Sequence, residues 1–352
     1  MSLRELILDT FAAGGDVDEL GRRWGGVRMS GAAFTRLLSV EDCASDLLVR
    51  WRQLGIEARL PAFVRDEVTR RTHGDMARML TVRVQLRELV DGFRKSGIEI
   101  TLLKGAAFLA SGMRQLRPFT DLDLLVPAAQ VDAARALMSS LGYTSNDELA
   151  IQDHHHLPPF ARRGSVPVEL HLRTLHRDTA EAEVTASMPI EPGVRVLAPT
   201  EWCWHALAHE ARHHDLAGRV RGALDVAALA ERYADIDWGV IAQRSHQSVD
   251  HIGVVALSVL RIAPQLPLHV SAGARWRARC ASYGRERAAR GASSEKAFAA
   301  ALYRIGMLAL GTDRWEHRLD PPRAKGAAGR LVPARVSHLA SLVAITLGRE
   351  VS

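Results

Sequence analysis

Apolar residues recur at helical spacing through the first quarter of the chain. Leu3, Leu6, Ile7 and Phe11 share one face of a helix that Gly14-Gly15 ends. Ser30 to Leu54 carries a second helical region, with Ser39 and Glu41-Asp42 marking an internal start. From Pro61, suited to a first turn, a longer stripe runs through Phe63, Val64, Val68, Met76, Met79, Leu80, Leu86, Leu89, Val90 and Phe93 and stops at Ser96-Gly97. Residues 2–96 therefore read as a helical packing scaffold. At Ile98 the period changes. Ile98 to Leu103 is strand-like and breaks at Lys104-Gly105, and Ala106 to Gly112 suits a short helix. A polar turn with Arg114, Gln115, Arg117 and Pro118 leads to Thr120–Val126. That segment alternates carboxylate and apolar residues, the pattern of a half-buried strand with Asp121 and Asp123 on one face.

Val131 to Leu141 predicts a helix closed by Gly142, and Tyr143-Thr144 opens an extended piece. Asn146 to Phe160 reads as a loop holding His154, His155 and His156. Val166 to Leu172 is another strand, with Glu169 and His171 on one face. Residues 173–198 are acidic and turn-rich, with a short strand at Arg195-Val196-Leu197. From Thr200, an N-cap threonine followed by Glu201, the pattern is helical again. Segments end near His213, Tyr233, Ser245, Ile262 and Gly284; Ser293–Leu310 and Ala334–Leu347 follow, with a linker at Gly326–Gly329.

Two carboxylates on one strand face repel unless a cation neutralises them, so Asp121 and Asp123 suit one divalent ion. Glycine at Gly105 admits close backbone approach of a phosphate, and the helix behind it offers unpaired amides. Lys104 is either a phosphate contact or a strand-edge residue. Arg114 and Arg117 either meet phosphate or pair with nearby acids. His205, His209 and His213 lie at i, i+4, i+8, but no H-E-x-x-H accompanies them, and they read as packed or surface histidines.

Composition narrows the class. With 47% apolar and 24% charged residues the chain is globular rather than disordered. The net charge of +6 suits an anionic ligand, yet 46 basic residues are interspersed with 40 acidic ones and no tract announces nucleic acid. Cys43, Cys203 and Cys280 stand far apart, which excludes a disulfide framework or zinc knuckle. No apolar run approaches a membrane span and no signal peptide shows, so a cytoplasmic protein without stable membrane insertion is expected.

L-L-K-G-A-A followed by R-x-x-T-D-x-D-L-L-V, with V-E-L-H on a later strand, resembles the family of uncharacterised bacterial nucleotidyltransferases. That family lies within the superfamily whose fold is like that of DNA polymerase beta. The resemblance covers roughly residues 86–230. It implies an α+β fold with a small mixed β-sheet core over 97–198. N-terminal helices over 1–96 and a C-terminal helical domain over 199–352 would flank that core. It implies that Asp121, Asp123 and Glu169 are catalytic and hold Mg2+ with a nucleoside triphosphate such as ATP. Lys104, Gly105, Arg114, Arg117 and Thr120 would bind the nucleotide. Members commonly place serine where Ala106 stands, and often pair a helix histidine with a helix aspartate, here His209 and Asp225. The expected activity is magnesium-dependent transfer of a nucleotidyl or related phosphate-linked group. The acceptor would be a small molecule, peptide or protein in preference to nucleic acid. A non-catalytic nucleotide-binding regulatory module is the alternative that Ala106 suggests.

Overall fold

The computed structural model describes residues 2–114, 116–145, 155–174, 186–213, 218–247 and 251–272, together with 274, 275 and 278. The segments expected at Ser293–Leu310, Gly326–Gly329 and Ala334–Leu347 lie outside the described residues, as do His154 and Cys280.

The chain opens with helices α1 (Leu3–Phe11), α2 (Val17–Gly25), α3 (Gly31–Glu41), α4 (Ala44–Leu54) and α5 (Ala62–Lys95). Side chains cap the first three of these helices, Ser30 accepting from the Ala33 amide at α3. Ser2 and Glu5 form a reciprocal capping box at α1. Asp16 accepts from the amides of Asp18 and Glu19 at α2. The internal start expected near Glu41-Asp42 is the α3–α4 junction, where Asp42 takes a left-handed conformation at φ 52°. Ser39 lies inside α3 and donates back to the Thr35 carbonyl. Helix α2 leaves little periodicity in the sequence, because its buried residues are only Leu20, Gly21 and Trp24.

Strand β1 (Ile100–Leu102), helix α6 (Lys104–Ala110), strand β2 (Leu122–Leu125) and helix α7 (Val131–Ser140) follow, then β3 (Val168–His171), β4 (Ser187–Glu191) and β5 (Val194–Leu197). The five strands form one mixed sheet in the order β3-β2-β1-β5-β4. β2 is antiparallel to β1 and parallel to β3, while β5 is parallel to β1 and antiparallel to β4. The architecture is α+β. Two corrections arise here. β4 occupies a segment read as turn-rich; it is an edge strand, where Pro189 loses no ladder partner, and Gly193 at φ 76° turns the chain into β5. The segment expected to be helical from Ala106 begins two residues earlier, at Lys104.

Helices α8 (Pro199–His213), α9 (Val220–Arg232), α10 (Trp238–Gln247) and α11 (His251–Ile262) complete the described elements. Thr200 does not cap α8, which already starts at Pro199; its hydroxyl accepts from the Asp237 amide ahead of α10. One hydrophobic cluster runs from Leu3 in α1 to Ile262 in α11 and includes Ile100, Leu102, Leu122, Leu124, Val168 and Leu170 of the central strands. Charged contacts close the two helical ends on each other. Arg4 pairs with Glu41 at 3.1 Å and donates to Ser258 at 3.0 Å, and Glu41 accepts from the Val220 amide at 2.9 Å. Asp9 binds Arg261, and Asp42 binds Arg221 at 2.6 Å. No helix among the described residues is long and apolar enough to cross a membrane.

Candidate active site

The parallel pairing of β2 with β3 sets Asp123 opposite Glu169 and Leu125 opposite His171. Strand alternation sends Leu122, Leu124, Val168 and Leu170 into the core, each with no exposed surface. Asp123, Glu169 and His171 are left on the other face. The Asp123 side chain is 1% exposed, and its Oδ1 accepts from Lys104 Nζ at 2.6 Å and lies 2.8 Å from His171 Nε2. That imidazole nitrogen is also 3.6 Å from Glu169 Oε2. Ligand atoms of Asp123, Glu169 and His171 all lie within 4.8 Å of one another.

Lys104 opens α6 with φ 44°, a left-handed conformation costing a side-chain-bearing residue on the order of 1 kcal/mol. The strain is offset by its ion pair with Asp123. Burial alone would lower the Lys104 pKa, but Asp123 holds it above the ordinary lysine value. Burial would likewise raise Asp123, yet the charge of Lys104 and the hydrogen bond to His171 hold it far below the usual carboxylate range. His171 is pushed down by burial and more than restored by Asp123 and Glu169, so it stands above the ordinary histidine value. Glu169 is lowered, burial being outweighed by His171 and the cations nearby.

Asp121 departs from expectation. The strand starts at Leu122, so Asp121 sits at its mouth, half-buried, accepting from the exposed Thr120 hydroxyl at 3.2 Å. Burial and repulsion from Asp123 raise its pKa. His171, expected on the face of Glu169, occupies the centre of the cluster, fully buried beside Asp123. Three carboxylates thus face one ammonium and one imidazole. The oxygen donors and the surplus of negative charge fit a divalent cation, and Lys104 Nζ already places a positive charge on the Asp123 carboxylate.

The other expected nucleotide contacts are arranged differently. Arg114 and Arg117 turn into a buried junction. Arg114 binds Asp225 of α9 and, at 2.7 Å, Asp46 of α4; Arg117 meets both Asp225 oxygens at 3.1 Å. Gly105 is surrounded on its side-chain face: a Cβ would lie 2.6 Å from Arg117 Nη1 and 2.9 Å from the Phe119 ring. Its lack of a side chain admits those two residues. Ala106 is fully buried, so its methyl belongs to the core. Thr120 lines an open hollow of about 480 Å³ with Arg78, Thr81, Ser165 and Pro167.

Among the histidines, His205 is buried with Nε2 3.1 Å from the Thr174 carbonyl oxygen, and burial drives its pKa down to about 3. The His209 ring lies 6.0 Å from it, and the His213 side chain is outside the described residues. His156, which the sequence places only in a loop, also reaches the cluster. An isolated bridge pairs it with His171 and brings its Nε2 to 3.7 Å from Glu169 Oε2. The signal available was three consecutive histidines in the loop before a carboxylate strand.

Residues 32–249 match the family model described as uncharacterised nucleotidyltransferase, well over half of the chain. A solved structure of the antibiotic-resistance factor ANT(2'')-Ia is similar at 10% identity with a TM-score of 0.33, over 52% of this chain and 92% of that one. No curated protein matches by sequence.

Proposed function

The chain belongs to the uncharacterised nucleotidyltransferase family, and from that premise we propose that it transfers a nucleotidyl group from a nucleoside triphosphate such as ATP to an acceptor hydroxyl. One observation carries the reading: Asp123 and Glu169 stand side by side in register on a parallel strand pair, with Asp121 at the mouth. Asp121, Asp123 and Glu169 would hold magnesium, which when bound neutralises and aligns a triphosphate. In the transfer, the acceptor oxygen bonds to the α-phosphorus, the α–β bridge breaks, and pyrophosphate leaves. Glu169, the more accessible of the paired acids at 19% against 1% exposure, takes the acceptor's proton. Lys104 keeps Asp123 ionised throughout. Thr120 fixes the Asp121 carboxylate at the entrance. Arg114 and Arg117 anchor the loop that delivers Thr120 and Asp121, through Asp225 and Asp46.

The charge pattern supports one class of acceptor over another. A chain with acids interspersed among its basic residues suits a small molecule, peptide or protein better than a nucleic-acid backbone. Ala106, buried in the core, is no argument for a site that has lost turnover. The test is Glu169→Gln, with nucleotide affinity and pyrophosphate release measured side by side. Affinity is expected to stay and release to fall by ~10²–10⁴-fold. Unchanged release would remove Glu169 from the chemistry and with it this reading.

A further inference from the structure

Two histidines beside the carboxylates share one arrangement. His171 sets Nδ1 3.4 Å from the Arg173 carbonyl oxygen, and His156 sets Nδ1 2.7 Å from the Leu157 carbonyl oxygen. A backbone carbonyl can only accept, so each contact places a proton on Nδ1 and turns Nε2 to the carboxylates, where His171 Nε2, 2.8 Å from Asp123 Oδ1, also carries a proton so long as no metal ion takes its place. Both Nε2 atoms then point at the same carboxylate oxygen, Glu169 Oε2, at 3.6 Å and 3.7 Å. The rings are 5.2 Å apart and tilted by 53°, so the nitrogens converge. A divalent cation entering between these nitrogens and the carboxylates displaces that proton, as metal binding to imidazole does. Imidazoles oriented by a second hydrogen bond, with the remaining nitrogen facing carboxylates, are the usual construction of a nitrogen-and-oxygen metal site.

We infer that the ion held by Asp123 and Glu169 is also ligated by Nε2 of His171 and His156, which suits the site to a first-row transition-metal dication in preference to magnesium. The inference deepens the metal-dependent reading above and rests on it. Magnesium takes hard oxygen ligands and keeps much of its water, whereas imidazole favours the borderline ions. His156, 17% exposed, stands at the open side of the cluster, and His171 closes its floor with no exposed surface. The donors come from separate places in the chain, β2, β3 and the loop before β3. The His156–His171 bridge holds the last two together.

Manganese(II) alone is the probe, added to the metal-free full chain. Pulsed electron paramagnetic resonance of the bound ion should show coupling to imidazole ¹⁴N, and the free-ion signal gives its affinity. Magnesium affinity follows from competition. His156→Ala and His171→Ala should each diminish the nitrogen coupling and weaken manganese by about 10–100-fold. The same variants should change magnesium by less than roughly threefold, its ligands being oxygen. Should buried His171→Ala fail to fold, His156→Ala and the wild-type ¹⁴N signal still decide the matter. Absence of nitrogen coupling in the wild type, or equal weakening of both ions, overturns the inference. Pyrophosphate release is followed in parallel. Release with magnesium but no ¹⁴N coupling would sink the imidazole ligands and leave nucleotidyl transfer standing. Coupling with no release under any ion and nucleotide would do the reverse.

Discussion

Two buried clusters of charge lie on either side of the loop between α6 and β2, and they are built on opposite principles. At the junction, Arg114 and Arg117 meet Asp225 and Asp46, two cations against two anions, with every guanidinium directed at a carboxylate. At the site, the three carboxylates of Asp121, Asp123 and Glu169 face one ammonium, Lys104, and the imidazoles of His171 and His156, and the shortest contacts crowd onto Asp123. Asp123 is held ionised while Asp121, two residues away, is pushed toward its neutral form. A balanced cluster is complete as it stands and serves the fold. An unbalanced one is stable only because the surrounding structure imposes it, and it has a use for a further cation. The difference separates the two where charge type alone does not, since both clusters set basic side chains against carboxylates.

The largest expected effect breaks the junction. Asp225→Ala leaves Arg114 and Arg117 buried without their shared partner, and removing one side of such a cluster costs about 3–5 kcal/mol. The urea midpoint should fall accordingly, and an unchanged midpoint would show that Asp225 is no keystone.

A second test concerns the wall beside the site. His205 is buried neutral with its pKa near 3, while the unfolded chain titrates near the ordinary histidine value of 6.5. Between those values the unfolded state binds the extra proton. Stability is therefore full above about pH 6.5 and declines on acidification toward pH 3, by up to about 1.4 kcal/mol per pH unit. His205→Gln should flatten that limb of the profile; an identical slope in the variant would reassign it.

The smallest effect has the opposite sign. Asp121→Asn relieves repulsion among the site's acids, so the metal-free protein should gain on the order of 1 kcal/mol while transfer is lost. A drop in melting temperature would mean that Asp121 is held by attraction and that the site is no less balanced than the junction.

The sequence pattern made most elements legible, with the longest stripes the surest. The stripe from Phe63 to Phe93 became α5, although Met76 and Leu80 on it face solvent, and the alternation around Asp123 and Glu169 became neighbouring strands. Boundaries misled where one residue changes its role. Strand alternation extended back to Thr120 puts Asp121 beside Asp123, but the chain enters the sheet only at Leu122. Lys104, at the apparent end of a strand, is the first residue of a helix, a placement that a φ of 44° makes foreign to ordinary propensity. The partners of Arg114 and Arg117 lie 111 and 108 residues onward at Asp225, beyond any local pattern. His156 required knowing that its loop folds back along β3.

The closure of α1 onto α11 bears on when this protein becomes itself. Arg4 and Ser258 are 254 residues apart, and Asp9 and Arg261 are 252 apart. A ribosome adding about 5–20 residues per second separates the birth of such partners by roughly 12–50 s. During that interval Leu3, Leu6 and Ile7 have no α11 to cover them, and Glu41 has no Val220 amide to bind. The strands bearing Asp123 and Glu169 emerge well before the helix that carries Asp225. The nascent chain thus holds its acids exposed while their wall is still being made, and this waiting period is when it is most open to misassociation.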